Sequence, residues 1–241
     1  MKEIKSGKNP LLLFLAIIVI IIVIVIAPFV YQSYKEVLNP THDRDGDGVP
    51  DDKDAFPDDP LEWKDSDGDG IGDNADSDDD NDGVLDSQDY LPYANAGIMV
   101  EIKKLRINEY WGQKTAKIFF KIYIDNEEIQ LPEEYMEVNI DEDININLNV
   151  TRNIDDKEGY HNIRIELYRF YLIGDKLVDI NGKDSEKSAE GKTIEINYYI
   201  GNKVGYQYPY DKEYEVSDGF DDGNTLEMDG RIYFRIVTVA V

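Results

Sequence analysis

From residue 96 onward, apolar and polar residues take turns. Ile98, Val100 and Ile102 alternate with other residues, as do Ile144, Ile146, Leu148 and Val150. The same beat returns at Ile163, Ile165 and Leu167, at Ile194 and Ile196, and at Ile232, Phe234 and Ile236. Successive side chains of a strand point to opposite faces, so a period of two means strands with one buried face. The pattern predicts strands over 98–108, 115–125, 134–139, 144–151, 161–172, 176–180, 192–200 and 231–240. Turn signals at Asp125-Asn126, Asn181-Gly182 and Asp229-Gly230 separate several of them. No segment of 96–241 has convincing helical periodicity. The expectation is a mainly β chain whose C-terminal domain, 96–241, is an antiparallel β-sandwich with its own core.

The stretch from Leu11 to Val30 is different: it is apolar without alternation. Twenty residues at 1.5 Å rise span about 30 Å, the thickness of a bilayer core. Lys2, Lys5 and Lys8 precede it, opposed only by Glu3, and Tyr31 and Tyr34 follow it. The expectation is a transmembrane helix over 11–31 with the bilayer as its partner. A cytoplasmic segment 1–10 precedes it, and the bulk of the chain lies outside the cell. A cleaved signal peptide is the alternative, with Val25-Ile26-Ala27 as the small-residue site. Pro28 just past the cut argues against it.

Charge changes the picture between 43 and 89. The chain carries a formal net charge of -26, and this segment alone holds twenty acids against three bases. Such a surface disfavours nucleic acid, whose phosphates need stripes of Lys and Arg. The absence of cysteine excludes disulfides and thiolate metal sites. The acids are also ordered. Three twelve-residue loops begin at Asp43, Asp65 and Asp78. Carboxylates stand at positions 1, 3, 5, 9 and 12: Asp43, Asp45, Asp47, Asp51 and Asp54; Asp65, Asp67, Asp69, Asp73 and Asp76; Asp78, Asp80, Asp82, Asp86 and Asp89. Glycine occupies position 6, and Val49, Ile71 and Val84 occupy position 7. Short aspartates let positions 1, 3 and 5 converge on one point, and glycine permits the turn that returns the chain. Position 7 lends its carbonyl, position 9 acts through a water, and position 12 closes the shell. This spacing suits calcium, which takes six to eight oxygens at about 2.3–2.6 Å. At least three calcium ions are expected.

A solvated acidic linker is the bland alternative for one loop, but a poor account of three that share the glycine and the apolar seventh residue. An EF-hand pair fails on spacing. Only Ser77 separates the second loop from the third, and Pro57 and Pro60 interrupt the segment between the first and second. The long and short steps along Asp43 to Asp89 resemble thrombospondin type 3 repeats. That resemblance implies a helix-free, calcium-wrapped stalk at 43–89, flanked by linkers at 32–42 and 90–95. Animal members of that family cross-link their repeats with disulfides, which this chain lacks.

Within the distal domain, the stretches 111–123 and 163–170 resemble a C2-type calcium and lipid sandwich. The resemblance implies an Asp-x-Asp just after a strand such as 163–167. This chain has Tyr168, Arg169 and Phe170 there, and Lys114, Thr115 and Lys117 before Ile118. That family's calcium site is therefore not carried over. The acidic loop of Asp218, Asp221 and Asp222 is read as solvated. Asn149-Val150-Thr151 is an N-glycosylation sequon. Tyr198, Tyr199, Tyr206, Tyr208 and Tyr210 offer either a carbohydrate-stacking platform or ordinary strand packing. The two histidines, His42 and His161, show no nucleophile and carboxylate beside them, and no phosphate loop or zinc spacing is present. No enzymatic activity is expected. The functional expectation is a membrane-anchored, extracellular calcium-binding protein whose stiffened stalk presents a sandwich head. The head's partner would be a cell-envelope protein or glycan, with a carbohydrate- or peptide-binding module or an unrecognised hydrolase as the alternative.

Overall fold

The computed structural model describes residues 10–38, 42–108, 112–181, 192–221 and 228–241. The apolar run forms helix α1, Pro10–Leu38. Among the described residues no helix is long and apolar enough to cross a membrane. This overturns the expected single-pass placement over 11–31, with its cytoplasmic N-terminus and outward-facing bulk. Lys2, Lys5 and Lys8, on which that orientation rested, lie outside the described residues.

The chain forms two compact units, divided between Ala75 and Asp76. The first holds α1 and the first loop, together with all of the second loop but its last residue. Among its described residues after α1, 42–75, no apolar side chain is buried. Turns replace helices here: Asp59 N–H donates to Phe56 O at 2.9 Å and Glu62 N–H to Asp59 O at 3.0 Å. Pro57 and Pro60 hold these turns short of a helix.

The second unit holds the third loop and a sandwich of ten strands. They are β1 Ala96–Asn108, β2 Thr115–Ile124, β3 Glu127–Asn139, β4 Ile144–Asn153, β5 Tyr160–Arg169, β6 Lys176–Val178, β7 Ile194–Tyr199, β8 Gln207–Tyr208, β9 Glu215–Asp218 and β10 Asp229–Ala240. One sheet runs β4-β1-β10, with β8 and β9 both on β10. The other runs β3-β2-β5, with β6 and β7 both on β5. Every strand ladder is antiparallel.

The core follows the alternation. Ile98, Val100, Ile102, Leu105 and Ile107 of β1 pack with Ile118, Phe120, Ile122 and Ile124 of β2, and with Ile163, Ile165 and Leu167 of β5. Between Ile102 and Lys104 the register of β1 shifts against both neighbours. A bulge of one extra residue moves the buried phase from even to odd positions, and Lys103-Lys104 supplies the two polar residues it needs. Asp125 and Asn126 take positive φ, 50° and 71°, in the two-residue turn joining β2 to β3.

Candidate metal centres

The three loops share one backbone design. In each, a carboxylate oxygen from positions 1, 3 and 5 lies within 4.8 Å of the other two: Asp43, Asp45 and Asp47; Asp65, Asp67 and Asp69; Asp78, Asp80 and Asp82. Backbone N–H groups hold these side chains in place. The sixth residue donates to the first: Gly48 to Asp43 Oδ2 at 3.0 Å, Gly70 to Asp65 Oδ2 at 3.2 Å, and Gly83 to Asp78 Oδ2 at 3.1 Å. The fifth donates to the third at 3.2, 2.9 and 3.1 Å. Val49, Ile71 and Val84 donate to the fifth at 2.7, 2.8 and 2.7 Å. At the seventh position Val84 is buried, Val49 half-buried and Ile71 exposed.

The bends need left-handed backbone at two places. Gly48, Gly70 and Gly83 have φ of 103°, 93° and 95°. Position 4 is left-handed as well, with Gly46 at 84°, Gly68 at 79° and Asn81 at 57°. Glycine reaches this region freely, and asparagine tolerates it better than most residues.

Position 9 does a different job from position 3 or 5. Asp51, Asp73 and Asp86 each accept the N–H of the second residue, from Arg44 at 2.9 Å, Ser66 at 2.8 Å and Asp79 at 2.9 Å. Their own N–H groups donate to the residue before the loop: Asp51 to His42 O at 2.7 Å, Asp73 to Lys64 O at 2.9 Å, and Asp86 to Ser77 O at 3.0 Å. The ninth residue thus fastens the loop at its neck. In the second loop Lys64 Nζ and Ser66 Oγ also donate to Asp73 Oδ2, at 2.7 and 2.8 Å. Burial pushes that carboxyl up, but these bonds outweigh it and hold it below the usual range.

Position 12 binds backbone through one oxygen. Asp54 Oδ1 accepts from Phe56 N–H at 2.8 Å, and Asp89 Oδ1 from Leu91 N–H at 2.8 Å. Asp76, in the second unit, accepts from Asp78 N–H at 3.1 Å. What the backbone leaves over is informative. Asp45 Oδ2, Asp47 Oδ2 and Asp54 Oδ2 in the first loop, and Asp78 Oδ1, Asp80 Oδ2 and Asp89 Oδ2 in the third, are buried without a hydrogen-bond partner. Burial, then the charges of Asp82, Asp89 and Asp78, push the Asp80 carboxyl up to about 6. Asp45 and Asp89 are raised by burial as well.

One further aspartate, outside the three loops, joins the third. Asp156, in the turn between β4 and β5, is fully buried, and one of its oxygens lies within 4.8 Å of oxygens from Asp80 and Asp89. Burial, then Asp89 and Asp82, push it up to about 7. No sequence motif marks it, because it is distant in the chain and Asp155-Asp156 reads as an ordinary acidic turn.

The other candidates have partners of their own. His161 is buried, with Nδ1 2.5 Å from Asp125 Oδ2 and Nε2 2.8 Å from Glu158 O. The carboxylate beside it was not evident from the sequence, and with both ring nitrogens engaged it has none free to act as a base. Asp218 pairs with Arg231, while Asp222 of that acidic loop lies outside the described residues. Tyr198 is buried, and its hydroxyl is 2.8 Å from both Tyr206 O and Thr238 Oγ1. Tyr199 meets Tyr206 edge-on, with centroids 5.9 Å apart. Tyr206 and Tyr210 are tilted at 50°. These rings pack on each other's edges and do not form one flat platform. Asn149 is exposed on β4, which pairs with β1 alone. At the end of β5, Arg169 is buried and bonded to Gln113 and Met228.

No protein-family model matches the chain, and no curated protein matches it. Among solved structures, a C2 domain is similar at TM-score 0.37 and 10% identity, over 61% of this chain and 99% of that one. The first C2 domain of plant extended synaptotagmin 1 is similar at 0.36 and 7%, over 61% and 97%. The calcium-bound pair of C2 domains from extended synaptotagmin 2 is similar at 0.39 and 9%, over 61% and 46%. Likeness at this level, with TM-scores below 0.4, assigns this chain neither a family nor a ligand.

Proposed function

We propose that the chain is a calcium-binding spacer protein whose three aspartate loops fold around calcium and whose β-sandwich acts as a binding head. The observation that carries this reading is the convergence of three carboxylates within 4.8 Å, three times over, on one backbone design. Oxygens bound to a single calcium at about 2.3–2.6 Å lie no more than about 5 Å apart. Residues 42–75 bury no apolar side chain to hold that design together. Metal binding then supplies what a hydrophobic core would otherwise supply. Loops of this kind serve where calcium is near 10⁻⁴–10⁻³ M. The fine role of the head is attachment to a protein or glycan partner, and the chain is read as a binder and not an enzyme. Asp47→Ala, Asp69→Ala and Asp82→Ala together test the reading. Small-angle scattering should show calcium compacting the parent chain and leaving the triple variant unchanged. Equal dimensions for both in calcium would overturn it.

A second reading concerns the sandwich tip after β5. Leu172 is 95% and Ile173 99% exposed, and they share a cleft with Phe170, Tyr171 and Lys117. Two bare apolar side chains beside a lysine suit shallow insertion into an anionic lipid surface, with about 1.5–3 kcal/mol per buried side chain. Leu172→Asp with Ile173→Asp should abolish co-sedimentation with phosphatidylserine vesicles. Unchanged sedimentation would exclude the tip.

A further inference from the structure

Asp156 has one oxygen accounted for and one not. Its Oδ2 accepts the Ala96 N–H at 3.2 Å, and its carbonyl accepts the Tyr90 N–H at 3.3 Å. Its Oδ1 is buried without a hydrogen-bond partner. An unsatisfied buried carboxylate oxygen is strongly disfavoured unless a cation meets it or a proton neutralises it. The groups beside it are Asp80 and Asp89, each with a buried unpartnered oxygen of its own.

The ligand chemistry of the third loop has a place that Asp156 fits. Its twelfth residue is Asp89, one methylene shorter than the glutamate that closes a shell with two oxygens. Asp89 already spends Oδ1 on Leu91 N–H, so it brings one oxygen. Asp156 brings another from the β4–β5 turn. The first loop shows no such addition among the described residues: its grouped carboxylates are its own.

We infer that the third loop's calcium is held jointly, by Asp78, Asp80, Asp82 and Asp89 from the loop and by Asp156 from the β4–β5 turn. This rests on the calcium reading above and goes beyond it, because the ion becomes a clamp between loop and sandwich. Residues 78–95 are fastened to the head by the metal as well as by Leu91, which is buried in the sandwich core. With five carboxylates around it, this site binds calcium more tightly than the other two, since affinity rises with ligand charge.

The test is calcium titration of the full chain by calorimetry, with amide hydrogen exchange read at Tyr90 and Ala96, whose N–H groups bond to Asp156. Asp156→Asn keeps an acceptor for Ala96 and removes the charge. Two ions should bind as in the parent, and the third at least tenfold more weakly. Calcium should slow exchange at Tyr90 and Ala96 in the parent at least tenfold, and not in the variant. If all three affinities stay within twofold of the parent, the clamp is wrong and the calcium reading survives. If the parent takes up no calcium at millimolar concentration, both fail. Should Asp156→Asn not fold, Asp89→Asn removes a ligand from the loop side. It must weaken the same ion and abolish the slowed exchange at Ala96; retention of that slowing would overturn the clamp.

Discussion

The Asp79 N–H donates to Asp86 Oδ1 at 2.9 Å, and this bond between second and ninth residues recurs from Arg44 to Asp51 and from Ser66 to Asp73. It separates two kinds of aspartate within one motif. Those at positions 1, 3 and 5 point oxygens at a common centre, while those at 9 fasten the neck of the loop. The distinction predicts unequal effects from equal chemistry. Asp51→Asn keeps an acceptor for Arg44 N–H and should lower the first loop's calcium affinity by no more than about threefold. Asp51→Ala removes a hydrogen bond to a charged group, worth about 1.5–3 kcal/mol, and should lower it tenfold or more. Asp45→Asn, a change of the same size at position 3, should eliminate the site. Calcium titration of the three variants checks the order. Equal damage from Asn and Ala at position 51 would show that the carboxylate there acts through its charge.

Position 4 gives a second prediction, set by backbone alone. Gly46, Gly68 and Asn81 all take positive φ, where an ordinary L-residue costs about 1–2 kcal/mol. Nothing lies within 4 Å of a Cβ added at Gly46 or Gly68, so strain is the whole effect. Gly46→Ala and Gly68→Ala should each weaken calcium binding at their own loop about five- to thirtyfold. Asn81→Gly should leave the third loop's affinity the same or slightly higher. A weaker third site after Asn81→Gly would mean that the Asn81 side chain, and not its backbone, shapes that loop.

These positions also show where sequence reasoning stops. Most strand positions are legible because burial on one face forces alternation, but residues 127–133 of β3 lack that beat, and Asp229-Gly230, which reads as a turn, opens β10. The short β8 and β9 are not legible, since two and four residues are too few to establish a period. Convergence at positions 1, 3 and 5 follows from spacing, because those residues are neighbours on one tight loop. The glycine at position 6 stands out, but position 4 varies between Gly and Asn and so escapes a consensus, although both residues favour the same left-handed region. Asp156 and the Asp125–His161 pair depend on contacts between residues far apart in the chain. No local pattern encodes such contacts, and an aspartate in an acid-rich chain draws no attention.

Calcium removal should divide the molecule. The sandwich has a continuous apolar core running from Ile98 to Ile236, sufficient to hold its strands without metal. Residues 42–75 have no buried apolar side chain. Chelation with EDTA should therefore release the amides that close the first two loops. Asp51 and Asp73, bonded to His42 O and Lys64 O, should exchange at least a hundredfold faster. Amides of β1 and β10 should change by less than threefold. Loss of protection throughout β1 and β10 on chelation would show that the sandwich, too, depends on calcium.

Tyr198 supplies a pH dependence that belongs to the head alone. It is 1% exposed, and burial pushes its phenol up to about 12 from an ordinary value of 10.0. Because the folded state holds this proton more tightly, the associated stability is fully present below pH 10. It is lost as pH rises from about 10 through 12, in proportion to the extra proton bound by the native state. Two pH units correspond to about 2–3 kcal/mol. Tyr198→Phe removes the titration together with the hydroxyl's bonds to Tyr206 O and Thr238 Oγ1. At pH 8 the variant should be about 1–2 kcal/mol less stable than the parent, which is the usual worth of such bonds. The gap should narrow between pH 10 and 12, as the parent loses what the variant never had. Urea unfolding of both proteins at pH 8, 10 and 11, in calcium throughout, measures this. A gap that stays constant across the range would place the alkaline loss of stability in tyrosines other than Tyr198.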